Sequence, residues 1–348
     1  MAAGAERNFH TLDAMRGVAA LGVVCFHLRP GWFPSAYLAV DLFFVLSGFV
    51  LSHAYDRRFA GGLSWSRFFV QRLIRLWPLY TLGVALSIVV QLYQPTVPLL
   101  PAAPLQLAML PAPGSASGLL YPLNVPGWSL FFELLINVAW GIGWRFLQGW
   151  RLGIVIGLFA LVLFLTIAVH GSADIGSFWK TALEGVPRVA FSFLVGVGIS
   201  RWRPRATPRQ SLALAFALLA GVGACLLVGL HGEGRTTYDM LFILAASPLL
   251  VLAASFIEPP SIMLRIFRSL GLISYPIYAI HDPLLPAFNA AATRLRVSPA
   301  IEHIAFLSCV VPLALLLAVT YDPWLRRAFS NLSVLFGRAA EHWTSARI

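Results

Sequence analysis

Ten runs of mostly apolar residues recur along the chain, at about 12–29, 36–54, 74–92, 125–144, 152–169, 181–200, 211–230, 239–256, 271–289 and 300–320. Each is close to the roughly 20 residues that an α-helix needs to cross a hydrocarbon layer. Lipid offers no partners for backbone N–H and C=O groups, so such runs fold as helices that satisfy themselves. The expected fold class is therefore all-α, a polytopic integral membrane protein of about ten transmembrane helices. Composition agrees: 59% of residues are hydrophobic and 11% charged, where soluble domains carry roughly 25% charged.

Basic residues set the orientation. If the N-terminus is inside, the inner segments hold eighteen Lys and Arg and the outer segments five, with Arg16 and Arg188 inside spans. That asymmetry predicts a cytoplasmic N-terminus and C-terminus. It also explains the net charge of +11 without a nucleic-acid partner. Cys25, Cys225 and Cys309 lie in apolar runs with no metal spacing and no disulfide framework, so no metal is expected. The first run carries charges and lacks a small-residue cleavage site, and is expected to be retained. One transmembrane domain is expected over 1–348, with a proline-rich outer segment at about 93–125 and a cytoplasmic tail at about 321–348. The outer segment has no Lys or Arg and many leucines, which predicts an ordered cap or re-entrant segment. The tail after Arg326 is weakly amphipathic and suits the inner surface.

Charges inside the spans are costly in hydrocarbon and single out candidate sites. Asp13, Arg16 and His27 share the first span. Arg16 and His27 are eleven residues apart, close to three turns, so they share a face about 16 Å long. Two readings fit: a basic flank with a core histidine, or a site reached through the membrane. Asp41 enters the second span near its outer end, to orient His27 or to pair with Arg29; Ser47-Gly48 is a small pair suited to close packing. Arg72 and Arg75 share a helical face at the inner end of the third span, where they can hold phosphate or serve as an ordinary basic flank. Pro78 is expected to bend that helix. Ser129, Glu133 and Asn137, spaced by four, form a polar stripe in the fourth span. Ser274 reads as an N-cap with Pro276 in the first turn. Ser274, Tyr278 and His281 share a face, with His281 either touching ligand or bonded to a carbonyl in the core. Asp322, before Pro323, reads as a helix-end device that can hold an arginine such as Arg72.

Together these stretches resemble the membrane-bound acyltransferase 3 family, the O-antigen and exopolysaccharide O-acetyltransferase-like proteins. The matching residues are Leu12-Asp13-x-x-Arg16-Gly17 with His27, Asp41-Leu-Phe-Phe-x-x-Ser47-Gly48-Phe49, Arg72-x-x-Arg75 with Pro78 and Tyr80, Trp128-Ser129-Leu130-x-x-Glu133, and Ser274-Tyr275-x-x-Tyr278-x-x-His281. They occur in the family's order. The resemblance implies a ten-helix enzyme of the bacterial inner membrane that takes an acyl group, usually acetyl, from cytoplasmic acyl-CoA. It implies as acceptor a hydroxyl of a surface or exported glycan or glycolipid, with membrane lipids as surroundings. By position, His27 matches the essential histidine, Arg16 its partner, and Arg72 and Arg75 the pair linked to the donor. Asp322, where many members carry Glu, and Asn137, where members often continue Glu-x-x-Phe-Tyr, are departures.

The expected site therefore has His27, Arg16, Asp13 and Glu133 as catalytic residues. Arg72, Arg75 and Arg16 take the acyl-CoA donor, and Asp41, Ser129, Tyr278 and His281 the acceptor. His27 acts as general base or as transient acyl acceptor, with Asp41 or Glu133 setting its tautomer. The pantetheine arm is expected to run upward past Arg16 to the imidazole. Competing readings are a glycan or lipid transporter, which more often shows internal repeats, and transfer of another acyl group such as succinyl to a lipid or small molecule.

Overall fold

A computed structural model describes residues 9–95, 97–204 and 206–329. Twelve helices run through the described residues: α1 His10–Leu28, α2 Ala39–Ala60, α3 Trp65–Tyr93, α4 Leu99–Leu107, α5 Gly127–Gly143, α6 Trp150–His170, α7 Gly185–Trp202, α8 Leu212–Leu227, α9 Gly232–Leu241, α10 Ser247–Ala254, α11 Leu264–Leu295 and α12 Pro299–Val319. A wide turn at Phe242–Ala246 joins α9 to α10 as one run. The strands are a two-residue parallel pair, Arg209–Gln210 beside Ile257–Glu258. Six runs are long and apolar enough to cross a bilayer, and α5 and α8 are shorter apolar helices. The chain is a polytopic helical membrane protein. A helix covers each of the ten windows read from the sequence. The amphipathic tail expected beyond Phe329 lies outside the described residues.

Two helix boundaries differ from expectation for one reason. The α3 helix begins at Trp65, well before the apolar window, because Ser64 accepts a hydrogen bond from the Arg67 N–H (3.3 Å) and caps it. Its first turns carry arginines, which a hydropathy window rejects although they are helical. The same holds for α11, which starts at Leu264, so Ser274 lies mid-helix rather than at an N-cap. The α3 helix also runs unbroken through Pro78.

Without a hydrophobic drive between helices in lipid, close backbone approach and polar bonds hold the bundle. Glycines supply the approach. A Cβ at Gly48 would fall 1.9 Å from the Phe193 carbonyl oxygen, and one at Gly196 2.1 Å from that of Val45, so α2 and α7 touch backbone to backbone. Gly17 meets Leu270 in the same way, seating α1 against α11. Asp41 and Arg188 add the polar bond between α2 and α7. Arg188 Nη2 and Nε donate to the carboxylate at 2.7, 3.0 and 3.1 Å, and its remaining groups donate to the carbonyls of Tyr37 and Ile175. Both residues are fully buried. Asp41 thus neither orients His27 nor pairs with Arg29: the nearer, fully enclosed guanidinium takes it.

The proline-rich segment turns back into the bundle. Trp77 Nε1 donates to the Leu107 carbonyl at 2.9 Å. Trp77 stands sixteen residues before the end of α3 at Tyr93, about 24 Å of helix. Leu120 and Leu123 are buried, and the Tyr121 hydroxyl donates to the Met109 carbonyl at 2.7 Å. Asn124 Nδ2 donates to the Ala279 carbonyl (3.0 Å) and the Val125 N–H to Asp282 Oδ2 (2.9 Å), docking the segment on α11. Irregular backbone within a bundle is tolerated where protein covers it, as it does at Leu120, Tyr121, Leu123 and Asn124.

Candidate active site

The site lies among α1, α2, α3, α5 and α11. At one end, Arg16 is fixed by Asp13 one turn earlier (Nη2–Oδ1 3.1 Å) and by α11, where Nε donates to Ser274 Oγ at 2.9 Å. The Ser274 hydroxyl donates to the Gly271 carbonyl (2.6 Å), so its oxygen lone pairs are turned toward the guanidinium. On the facing side, Arg72 Nη2 and the Ser47 hydroxyl both donate to Glu133 Oε1, at 2.6 and 2.8 Å. Glu133 therefore balances Arg72 and sets no histidine tautomer. Asp322 holds Arg326 at 2.5 Å rather than Arg72, because Arg72 is turned inward while Asp322 and Arg326 are one turn apart. Arg72 Nε is buried and unbonded among the described residues.

Arg16, Ser47, Arg72, Glu133 and Ser274 line the base of a cavity of about 270 Å³. Arg16, Arg72, Arg75 and Glu133 form its polar end, and Phe43, Phe44, Leu46 and Leu130 its apolar walls. Its roof is Tyr278 and Ser129. Ser129 Oγ donates to the Pro126 carbonyl (2.9 Å), so the Tyr278 hydroxyl donates to Ser129 Oγ at 2.8 Å. Phe43 meets the Tyr278 ring edge-on, with centroids 5.6 Å apart. His27 does not line this cavity; the cavity stops one helical turn short of His281.

Above the roof stand two imidazoles. His281 is fully buried, and its Nδ1 lies 2.9 and 3.0 Å from the carbonyls of Ile277 and Tyr278. Carbonyls only accept, so the proton of neutral His281 sits on Nδ1 and its Nε2 is a lone pair. That lone pair lies 2.7 Å from His27 Nδ1. The ring planes differ by 12° with centroids 4.9 Å apart, so the rings meet edge to edge in nearly one plane. His27 Nδ1–H is therefore the donor. With both rings neutral, His27 Nε2 is left as a proton acceptor. Two backbone carbonyls on α11 thus set the tautomer of a histidine on α1.

Of the residues singled out in the sequence, the structure brings Asp13 to Arg16, Arg72 to Glu133, Ser129 to Tyr278 and His27 to His281. Asp41 stands apart with Arg188. Arg75 faces the cavity without an ion pair among the described residues. The His27–His281 bond was not read from sequence, since the two lie 254 residues apart. The partner of Asp41 had a signal: Arg188 is the other charge left inside a span by the count of basic residues.

The family model described as an acyltransferase domain matches residues 9–321. Protein 2 in the picA locus of Rhizobium radiobacter is 40% identical over 166 residues, covering 40% of this chain and 86% of its own length. The exopolysaccharide production protein ExoZ of Rhizobium meliloti is 28% identical over 313 residues, covering 87% of this chain and 94% of its own. No solved structure matches significantly.

Proposed function

Because the chain belongs to the acyltransferase 3 family and is an acyltransferase, we propose that it moves an acetyl group from acetyl-CoA to a hydroxyl of an exported glycan. The observation that carries this reading is the imidazole pair, which leaves His27 Nε2 a proton acceptor just beyond the roof of the cavity, opposite its arginine end. A relative aligned along most of the chain is named for exopolysaccharide production, which supports a glycan acceptor.

In this reading the thioester arm lies in the cavity, past Arg16 and along its apolar walls, and the acyl group is presented at the roof beside Tyr278. His27 Nε2 takes the proton of the acceptor hydroxyl as that oxygen bonds to the thioester carbonyl carbon. As the C–S bond breaks, the imidazolium returns the proton to the departing sulfur. Through both steps the His27 Nδ1–H keeps donating to His281 Nε2, which favours the charged ring when it forms. Arg16 borders the arm, and Asp13 and Ser274 keep it aimed.

The cavity's arginine end belongs to the cytoplasm in this reading, and ten crossings with both termini inside follow the arginine bias. Residues from the start of α1 and from the helical stretch that follows α12, His10 and Arg326, border one cavity, which supports an even number of crossings. Membranes containing His27→Ala should insert and fold the protein but add no acetyl groups to cell glycans by mass spectrometry. Wild-type acetylation by that variant refutes the assignment.

A further inference from the structure

A second cavity, about 300 Å³, adjoins the first at the arginine end. Its walls come from α1, α3, α11 and the turns after α12. Arg16, Arg75, Arg268 and Arg326 border it against two carboxylates, Asp13 and Asp322. Asp13 is engaged by Arg16 (3.1 Å) and Asp322 by Arg326 (2.5 Å). Arg75 and Arg268 have no carboxylate among the described residues, so two guanidinium charges stand uncompensated in one hollow. Arg326 Nε is also buried without a partner there. Arg16, Arg75 and Tyr275 border both cavities, and the Tyr275 hydroxyl, donating to the Leu76 carbonyl, fixes the shared wall. The two hollows differ in character: one is a mostly apolar slot, the other a basic chamber. An extended molecule with an anionic head and a neutral arm fits across them.

We propose that the basic chamber binds the phosphates of the acyl donor's nucleotide, with Arg268 and Arg326 as phosphate ligands beside Arg75. Guanidinium forks suit phosphate oxygens, and three from different helices can surround a group that one helix face cannot. The volume is at the lower limit for a small-molecule site and suits the phosphates rather than a whole nucleotide. Arg72 is withdrawn from this role: it faces the slot, tied to Glu133. The assignment rests on the acetyl-CoA reading above and names its headgroup site. An anionic lipid headgroup offers the same phosphate chemistry, and the experiment separates the two.

Purified protein in nanodiscs is assayed with acetyl-CoA and with acetyl-pantetheine, which keeps the thioester and arm but lacks the nucleotide. Arg268→Gln should narrow the preference for acetyl-CoA in kcat/KM about tenfold, the size expected for one charge-assisted hydrogen bond. Arg326→Lys should narrow it less than Arg326→Gln. Thermal stabilisation by coenzyme A, which needs no turnover, should shrink in Arg268→Gln. An unchanged preference, or an equal loss with both donors, overturns the proposal. So does an effect that appears only in nanodiscs containing phosphatidylglycerol and not in phosphatidylcholine, which assigns the chamber to lipid. Wild-type protein that is stabilised by coenzyme A yet turns over neither donor refutes the transfer reaction while leaving the phosphate site standing.

Discussion

Replacing His281 by Phe tests whether one imidazole governs the other. The substitution keeps a flat ring of similar size but removes the Nε2 lone pair 2.7 Å from His27 Nδ1. In the ground state the loss is one neutral hydrogen bond, about 1 kcal/mol. When His27 takes a proton the same contact becomes a bond from a charged donor, worth about 1.5–3 kcal/mol. Only the difference, about 0.5–2 kcal/mol, bears on the rate from the bound state, so kcat falls roughly 2- to 30-fold. His281 does not border the donor cavity, so the apparent KM for acetyl-CoA should stay near wild type. His281→Gln places an amide oxygen near the Nε2 position, where it accepts from His27 Nδ1–H, and should recover most of the rate. Steady-state transfer assays on the three proteins decide the matter. A kcat within twofold of wild type in the Phe variant, or a Gln variant as slow as Phe, refutes the relay.

Other outcomes follow from the packing. Arg188→Met leaves the Asp41 carboxylate buried and unpaired and should cost about 3–5 kcal/mol of stability. Arg188→Met with Asp41→Leu should recover most of it, seen as a restored melting temperature in detergent; a double variant no more stable than the single contradicts the pairing. Gly48→Ala drives a methyl into the Phe193 carbonyl and should lose about 1–3 kcal/mol or more as α2 and α7 separate. Wild-type melting of that variant shows the contact to be unimportant.

The helices were legible because apolar length is a local property, and each run announces itself within its own residues. The charges they carry were legible as candidates for the same reason: Arg16, His27, Arg72 and Glu133 stand out against hydrocarbon. Their partners were not. Arg16 finds Ser274 at a separation of 258 residues and Asp41 finds Arg188 at 147, and no spacing rule reaches so far. Arg268 and Arg326 resembled ordinary basic flanks until the bundle gathered them around one hollow. The polar starts of α3 and α11 fall outside the apolar windows because arginine turns are helical but not apolar.

The segment that folds back beside α3 has a consequence for biosynthesis. Its anchors, the Ala279 carbonyl and Asp282, lie 155 and 157 residues further along than Asn124 and Val125, which they hold. A chain emerging from the ribosome therefore inserts its early helices while the end of this stretch, at Asn124 and Val125, still lacks its α11 partners. The hollow acquires its ceiling only after α11 arrives, so a truncated product keeps an unfinished site and exposed backbone that quality-control proteases can cut.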